Sequence, residues 1–236
     1  MVLANARSIK GKSTELQILS CQYDILCLTE THIDSTFVNN EILFSSDKAL
    51  YRRDRNVHGG GVLIAIAPSV SHQFVHVEMH VLQVEAVCIS VVLRPRLDCE
   101  FIIVCLYVPP NKRRESIVPL NCLLDFISKR FPGSPLLITG DFNFPDVDWL
   151  HLTVKSGSNQ SELHKSDLEQ LVDKPTHVKG NTLDLVLTNN SALIKNLCII
   201  NSELSDHFTI EWKIRFHKDS HNIPRQFLTS TLRLTR

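Results

Sequence analysis

The chain has 236 residues, 43% of them hydrophobic and 21% charged, a balance that suits a globular protein able to bury a sizeable core. Its 25 basic and 25 acidic residues leave a formal net charge of zero, which excludes a protein that coats nucleic acid by bulk positive charge. Nucleic-acid contact would need a local patch, and the candidates are Arg52, Arg53 and Arg55, then Arg94 and Arg96, then Lys112, Arg113 and Arg114. Seven cysteines include no C-x-x-C pair, and Cys27, Cys88, Cys105 and Cys198 sit inside apolar runs. That pattern predicts reduced, buried thiols rather than a zinc site or a disulfide framework. The opening MVLANARSIK has no secretory apolar region, and no apolar stretch approaches the ~18 residues of a membrane span. The expected compartment is reducing, nuclear or cytoplasmic, with no membrane partner.

In chain order, residues 1–5 read as a short strand ending at Asn5, and 12–22 as a short amphipathic helix through Leu16 and Leu19. DILCLTE (24–30) is a buried strand that stops on the carboxylate of Glu30. Residues 31–58 read as loop and irregular structure. GGGVLIAIAP (59–68) is a glycine turn entering a strand, and 72–94 holds further β-type runs. CEFIIVCLYVPP (99–110) is a buried strand stopped by two prolines. Residues 116–131 carry Ile117, Leu120, Leu123, Leu124, Ile127 and Phe131 at helical spacing. PLLITGDFN (135–143) is again an apolar strand with polar residues at its end. Leu163, Leu168, Leu171 and Val172 predict a helix over 161–172. TLDLVLTN (182–189), LCIIN (197–201) and HFTIEWKIRF (207–216) read as strands, the last half-buried. Residues 217–236 carry four Lys or Arg against one Asp and read as a flexible basic tail or linker, which leaves 1–216 as the domain. Strand groups interrupted by helices predict a layered α/β sandwich with mixed sheets.

The strand ends carry the chemistry. Asn5, Glu30, Tyr107, Asp141, Asn143, Asp184, Asp206 and His207 all stand at or beside them. Sites in open α/β sheets lie outside the carboxyl ends of strands. If these ends share a rim, one cleft holds the inventory of a phosphodiester hydrolase. Glu30, with Asp206 nearby, suits a hard ion such as Mg²⁺ (or Mn²⁺), which prefers carboxylate oxygens. Asp141, oriented by Asn143, suits a base for an attacking water. Asp184 interrupts an apolar strand, and a buried carboxylate needs a partner. His207 is the natural one, and so charged it could donate to a phosphate oxygen. Tyr107 and Asn5 would position the phosphate and the metal ligand. On their own, Asp141 and Asn143 would fit a turn equally well.

Taken together, these residues resemble the endonuclease/exonuclease/phosphatase superfamily. The chain is most similar there to the apurinic-like endonuclease domain of non-LTR (LINE-type) retrotransposons. The blocks that carry the likeness are Asn5-Ala6-Arg7-Ser8, Thr29-Glu30-Thr31, Arg53-Asp54-Arg55 with Gly59-Gly60-Gly61-Val62, Gly140-Asp141-Phe142-Asn143-Phe144-Pro145 with Asp148-Trp149, Leu183-Asp184-Leu185, and Ser205-Asp206-His207. The resemblance implies a DNase I-like four-layer α/β sandwich, two mixed sheets flanked by helices. It also implies Mg²⁺ or Mn²⁺ dependence and nicking of one DNA strand to leave a 3′-OH that primes reverse transcription. The implied partners are DNA and, through a reverse transcriptase, the element's RNA, with no nucleotide cofactor. It assigns Glu30 to the metal, Asp141 and Asn143 to water and phosphate, and Asp184 with His207 to phosphate stabilisation. Thr176 and Ser205 match phosphate-contacting positions. Separately, Arg53 and Arg55, beside the glycine run, read either as phosphate-binding or as structural salt-bridge residues. One departure is His32 beside Glu30, where the family usually has Trp.

No reverse transcriptase follows, so the chain is expected to be a fragment of an element, a decayed copy or a stand-alone domesticated domain. The alternatives are a catalytically silent relic or DNA-binding domain, and a same-fold phosphoesterase or abasic-site nuclease. His58-Gly59-Gly60-Gly61 resembles an esterase oxyanion loop, but no G-x-S-x-G elbow exists. Gly11-Lys12-Ser13 resembles the end of a P-loop, but Ala6 stands where the first glycine is required.

Overall fold

The computed structural model describes residues 1–42, 47–77, 84–92, 100–148, 153–154 and 168–214. In chain order the elements are β1 (Val2–Asn5), α1 (Ser13–Gln22), β2 (Ile25–Thr29), α2 (Asn39–Ile42), β3 (Ala49–Arg53), β4 (Val62–Ile66), β5 (His72–Phe74), β6 (Glu85–Val92), β7 (Glu100–Tyr107), α3 (Arg113–Arg130), β8 (Leu136–Asp141), β9 (Val147–Asp148), β10 (Thr153–Val154), β11 (Glu169–Gln170), β12 (Asp184–Thr188), β13 (Ile194–Ile200) and β14 (Thr209–Ile214).

They form two six-stranded mixed sheets, in the orders β13-β14-β1-β2-β4-β3 and β11-β12-β8-β7-β6-β5, and a small β9–β10 ribbon. Each large sheet has one parallel pair at its centre, β1 with β2 and β7 with β8, and each pair is joined by a helical crossover. A parallel connection must cross over a sheet face, so α1 and α3 each cover one.

Side chains alternate across a strand, and here both faces are covered. Leu3, Cys27 and Ile64 of the first sheet meet Ile103, Cys105 and Val186 of the second in a core between the sheets. The intervening residues point outward. Ala4, Leu26 and Leu28 pack under Leu16 and Leu19 of α1. Ile102, Val104 and Leu106 pack under Leu120, Leu123 and Ile127 of α3. The result is a four-layer α/β sandwich. The spacing of three or four between apolar residues puts them on one face of each helix. Glu115 in the first turn of α3 and Lys129 and Arg130 in its last complement the helix dipole.

Three expectations change. Residues 49–53 are not irregular but form β3, an edge strand half-covered along its length. An edge strand has no call for a continuous apolar run, so ALYRR hides it. Residues 168–172 are not helical: β11 pairs antiparallel with the open edge of β12, while Leu168 and Val172 pack into different clusters. Tertiary pairing overrides a helix-like spacing there, and 161–167 lie outside the described residues. Cys198 is exposed rather than buried, because β13 is the sheet edge and its outer face is uncovered. Among the described residues, Cys27, Cys88, Cys105, Cys122 and Cys198 are free thiols. Arg94, Arg96, Trp149 and the tail 217–236 fall outside the described residues. Among those described, no helix is long and apolar enough to cross a membrane.

The glycine before Asp141 is a packing requirement. Gly140 has φ +149°, and a Cβ there would lie 1.9 Å from the Leu106 carbonyl oxygen on β7. Backbone against backbone cannot give way. Gly140→Ala should therefore destabilise the fold by on the order of 3 kcal/mol, read as a lower midpoint in urea unfolding. An unchanged midpoint would refute the close approach.

Candidate active site

The two parallel pairs end at the same rim. Asn5 closes β1 in register with Thr29, and Glu30 follows. Tyr107 closes β7 in register with Asp141 at the end of β8, and Asp184 opens β12 directly opposite Asp141. Glu30 sits at φ +51° and His32 at +51°, in a loop clamped by glycines. Thr31 and His32 N–H groups donate to the Gly61 and Gly60 carbonyls at 3.4 and 3.0 Å. A Cβ on Gly61 would lie 2.3 Å from Thr31 Oγ1. The glycine run thus does more than turn the chain into β4: it lets that turn pack against the loop that carries Glu30.

Asp141 is wholly buried. Its Oδ2 accepts from Asn5 Nδ2 at 3.0 Å and Asn143 Nδ2 at 2.9 Å, and its Oδ1 from the Asn143 N–H at 3.0 Å. Asn143, at φ +54°, also donates from Nδ2 to the Val108 carbonyl at 3.0 Å, so its amide orients Asp141 and anchors to β7's exit. Burial first, and then the facing charge of Asp184, push the Asp141 carboxyl well above the usual carboxylate range.

Asp184 Oδ2 meets His207 Nδ1 at 2.7 Å, both side chains buried. Burial alone would lower the imidazole pKa. The Asp184 hydrogen bond and charge, with Asp141 and Glu30 behind them, outweigh it and raise the pKa to about 9. His207 is therefore an imidazolium at neutral pH, with Nε2–H directed away from Asp184. Burial, then Glu30 and Asp141, push the Tyr107 phenol far up, so it stays a neutral donor.

Thr176 and Ser205 lie beside this pair as braces. Thr176 Oγ1 accepts the N–H groups of Leu183 and Asp184, both at 3.0 Å. Ser205 Oγ donates to the Asn5 carbonyl at 2.7 Å and accepts the His207 N–H at 3.1 Å. Asp206 is held by Arg7 Nη1 at 2.5 Å. Burial would raise its carboxyl pKa, but Arg7 and the nearby histidines bring it below the usual range. Arg55 pairs with Glu85 at 3.0 Å and lies over the Tyr107 ring at 5.6 Å. Glu85 in turn accepts the Gly61 N–H at 2.6 Å. Arg53 ends β3 beside this group, half-buried. Sequence reading missed Arg7, Glu85 and His177. His177 immediately follows Thr176, but adjacency alone gave no reason to single it out.

Residues 101–211 match a family model described as endonuclease-reverse transcriptase. Among solved structures, the endonuclease domain of TRAS1, a telomere-specific non-LTR retrotransposon, aligns at TM-score 0.63 and 16% identity, over 92% of this chain and 98% of that one. A 3′ phosphatase from Neisseria bound to product DNA hairpin aligns at TM-score 0.61 and 14% identity, over 91% and 98%. An AP endonuclease from Archaeoglobus fulgidus aligns at TM-score 0.63 and 14% identity, again over 91% and 98%. Among curated proteins no sequence matches the chain. The chain has a DNase I-like α/β sandwich fold, and over residues 101–211 it resembles the endonuclease-reverse transcriptase family.

The His207 proton couples the site to stability. Its pKa is raised from 6.5 to about 9, so between those values the folded chain holds a proton that the unfolded chain has released. The stabilisation is complete below pH 6.5 and lost as pH rises through 9, on the order of 3 kcal/mol in all. Unfolding free energy of the metal-free protein should fall over that window, and His207→Asn should flatten the profile. A wild-type profile as flat as the variant's would contradict the Asp184–His207 pairing.

Proposed function

We propose that the chain is a divalent-metal-dependent DNA endonuclease that nicks one strand by phosphodiester hydrolysis, of the type that primes reverse transcription in a retrotransposon. The observation that carries this reading is the buried constellation in which Asn5 and Asn143 hold Asp141 while Asp184 holds a charged His207. The match over residues 101–211 supports it, and so does a neighbour of the same fold that was bound to a DNA hairpin.

Asp141, its pKa raised and both oxygens oriented, is the base that takes a proton from the attacking water. His207, with Nδ1 committed to Asp184, donates from Nε2 to a non-bridging phosphate oxygen and stabilises the charge that builds there. The Tyr107 hydroxyl positions the same phosphate. Thr176, wholly buried, and Ser205 keep the dyad and the end of β1 in place.

A hard divalent ion fits the donors present. Glu30, Asp141, Asp184 and Asp206 gather at one rim against few cations, and Asp184 Oδ1 is buried without a hydrogen-bond partner. Glu30 would hold Mg²⁺ or Mn²⁺, and Asp206 could join only by releasing Arg7. When bound, such an ion neutralises charge on the phosphate and the leaving oxygen. The 3′-OH left by the nick would prime copying of element RNA by a reverse transcriptase.

Supercoiled plasmid tests the reading. Open-circle product should form with Mg²⁺ and not with EDTA. Asp141→Ala and His207→Ala should each lower the rate by about 10³-fold. No nicking by the intact chain would sink the proposal in favour of a silent relic, and cleavage confined to abasic duplex would make it an abasic-site nuclease. Glu30→Gln should leave thermal stability in EDTA unchanged and raise the Mg²⁺ concentration needed for half-maximal nicking by about tenfold. An unshifted Mg²⁺ requirement would remove Glu30 from the metal.

A further inference from the structure

His177 is buried next to His207, and the mechanism above leaves it without a task. The two rings meet edge to face at 4.7 Å between centroids, and their backbones form an isolated antiparallel bridge. A nitrogen of each ring and a carboxylate oxygen of Asp206 all lie within 4.8 Å of one another.

The tautomer of His177 follows from its backbone neighbour. Its Nδ1 accepts the Lys179 N–H at 3.0 Å, so Nδ1 carries a lone pair and the proton sits on Nε2. That Nε2–H faces Asp206 Oδ2 at 3.5 Å, longer than a good hydrogen bond, and Asp206 is already engaged by Arg7 at 2.5 Å. A nearly buried N–H donor is thus aimed at the rim with its best hydrogen bond unmade. The turn that holds it is firmly built: Thr176 and His177 N–H groups both donate to the Asn181 carbonyl, and Gly180, at φ +82°, donates back to His177.

The three side chains also have the spacing of a metal site. The tautomer argues against that use. A metal on Nε2 would require the ring to lose its proton while Nδ1 still accepts from Lys179, which leaves an imidazolate.

We propose that His177 is a further catalytic residue, a neutral Nε2–H donor that grips one non-bridging oxygen of the phosphate whose other oxygen is met by His207. With the two rings edge to face at 4.7 Å, one phosphate group spans both. The ligand class is a phosphodiester, and the proposal rests on the endonuclease reading.

The experiment is nicking of a duplex whose scissile phosphate is unmodified or carries one sulfur, as separate Rp and Sp diastereomers. His177→Ala should lower kcat on plain DNA by on the order of 10²-fold. It should also lose the rate penalty for sulfur at one diastereomer and keep the penalty at the other. His177→Gln, which restores an N–H, should recover part of the rate. The melting temperature and the downfield Nδ1–H proton signal of His207 should match wild type. Sulfur penalties unchanged in His177→Ala, or a His207 signal lost with the activity, would reduce His177 to packing and overturn the proposal. Tight Zn²⁺ binding by the wild type that His177→Ala abolishes would overturn it in favour of a metal site. If wild type nicks no DNA, the endonuclease reading fails and this proposal with it. Nicking by wild type with indifferent His177 variants sinks this proposal alone.

Discussion

Asn5 Nδ2 donates to Asp141 Oδ2 at 3.0 Å, and this hydrogen bond joins the two sheets at the point where chemistry is proposed. Asn5 belongs to the first sheet and Asp141 to the second, and both are buried. A buried polar pair of this kind cannot drift apart cheaply, because either partner left alone loses its hydrogen bond in a dry interior. The face-to-face packing of the sheets therefore sets the site, and the site in turn fixes how the sheets meet at this end. Several functional groups are tied to its two partners. Asn5 Oδ1 accepts the Arg7 N–H, the Asn5 carbonyl accepts from Ser205, and Ser205 holds His207.

The rim is built from backbone in unusual conformations. Arg7, Ser8, Glu30, His32 and Asn143 all have positive φ, and all lie within or beside the loops that leave the strand ends. Such residues persist only where the surroundings over-determine them. Here the surroundings are identifiable. The Ser8 N–H donates to the Glu30 carbonyl, Gly60 and Gly61 accept from the Glu30 loop, and the Asp141 carboxylate accepts the Asn143 N–H. Glu85 ties the glycine turn to Arg55, which lies over Tyr107. Loops that would ordinarily move are made part of the scaffold.

Proton placement follows from the same packing. Asp141 and Asp184 face each other across a strand pair, and burial removes the water that would screen them. The pair is held together by its donors: Asn5 and Asn143 donate to Asp141, whose pKa moves up, and the His207 ring, its pKa raised to about 9, faces Asp184. In the proposed reaction this places the base, Asp141, and the donor, His207, within one small volume.

Much of this was legible in the residues. Apolar runs that stop on polar side chains marked β1, β2, β7 and β8 and put Asn5, Glu30, Tyr107 and Asp141 at strand ends. An Asp inside TLDLVL called for a partner, and spacing of three and four marked α1 and α3. These signals are local: they depend on burial period and on the cost of an unpaired charge, which a sequence displays directly. The tertiary structure alone decided the rest. It showed that ALYRR is a strand and that 168–172 is not a helix, because an edge position and an open strand neighbour are not local properties. It made Gly140 and Gly61 contact points, since the facing backbone of Leu106 and the side chain of Thr31 exclude a Cβ. It brought His177 against His207, and Arg7 against Asp206, across 30 and 199 positions of chain. Residue type and period reveal which groups a chain must bury or expose, whereas which of them touch is set by how two sheets pack, and no window of sequence contains that.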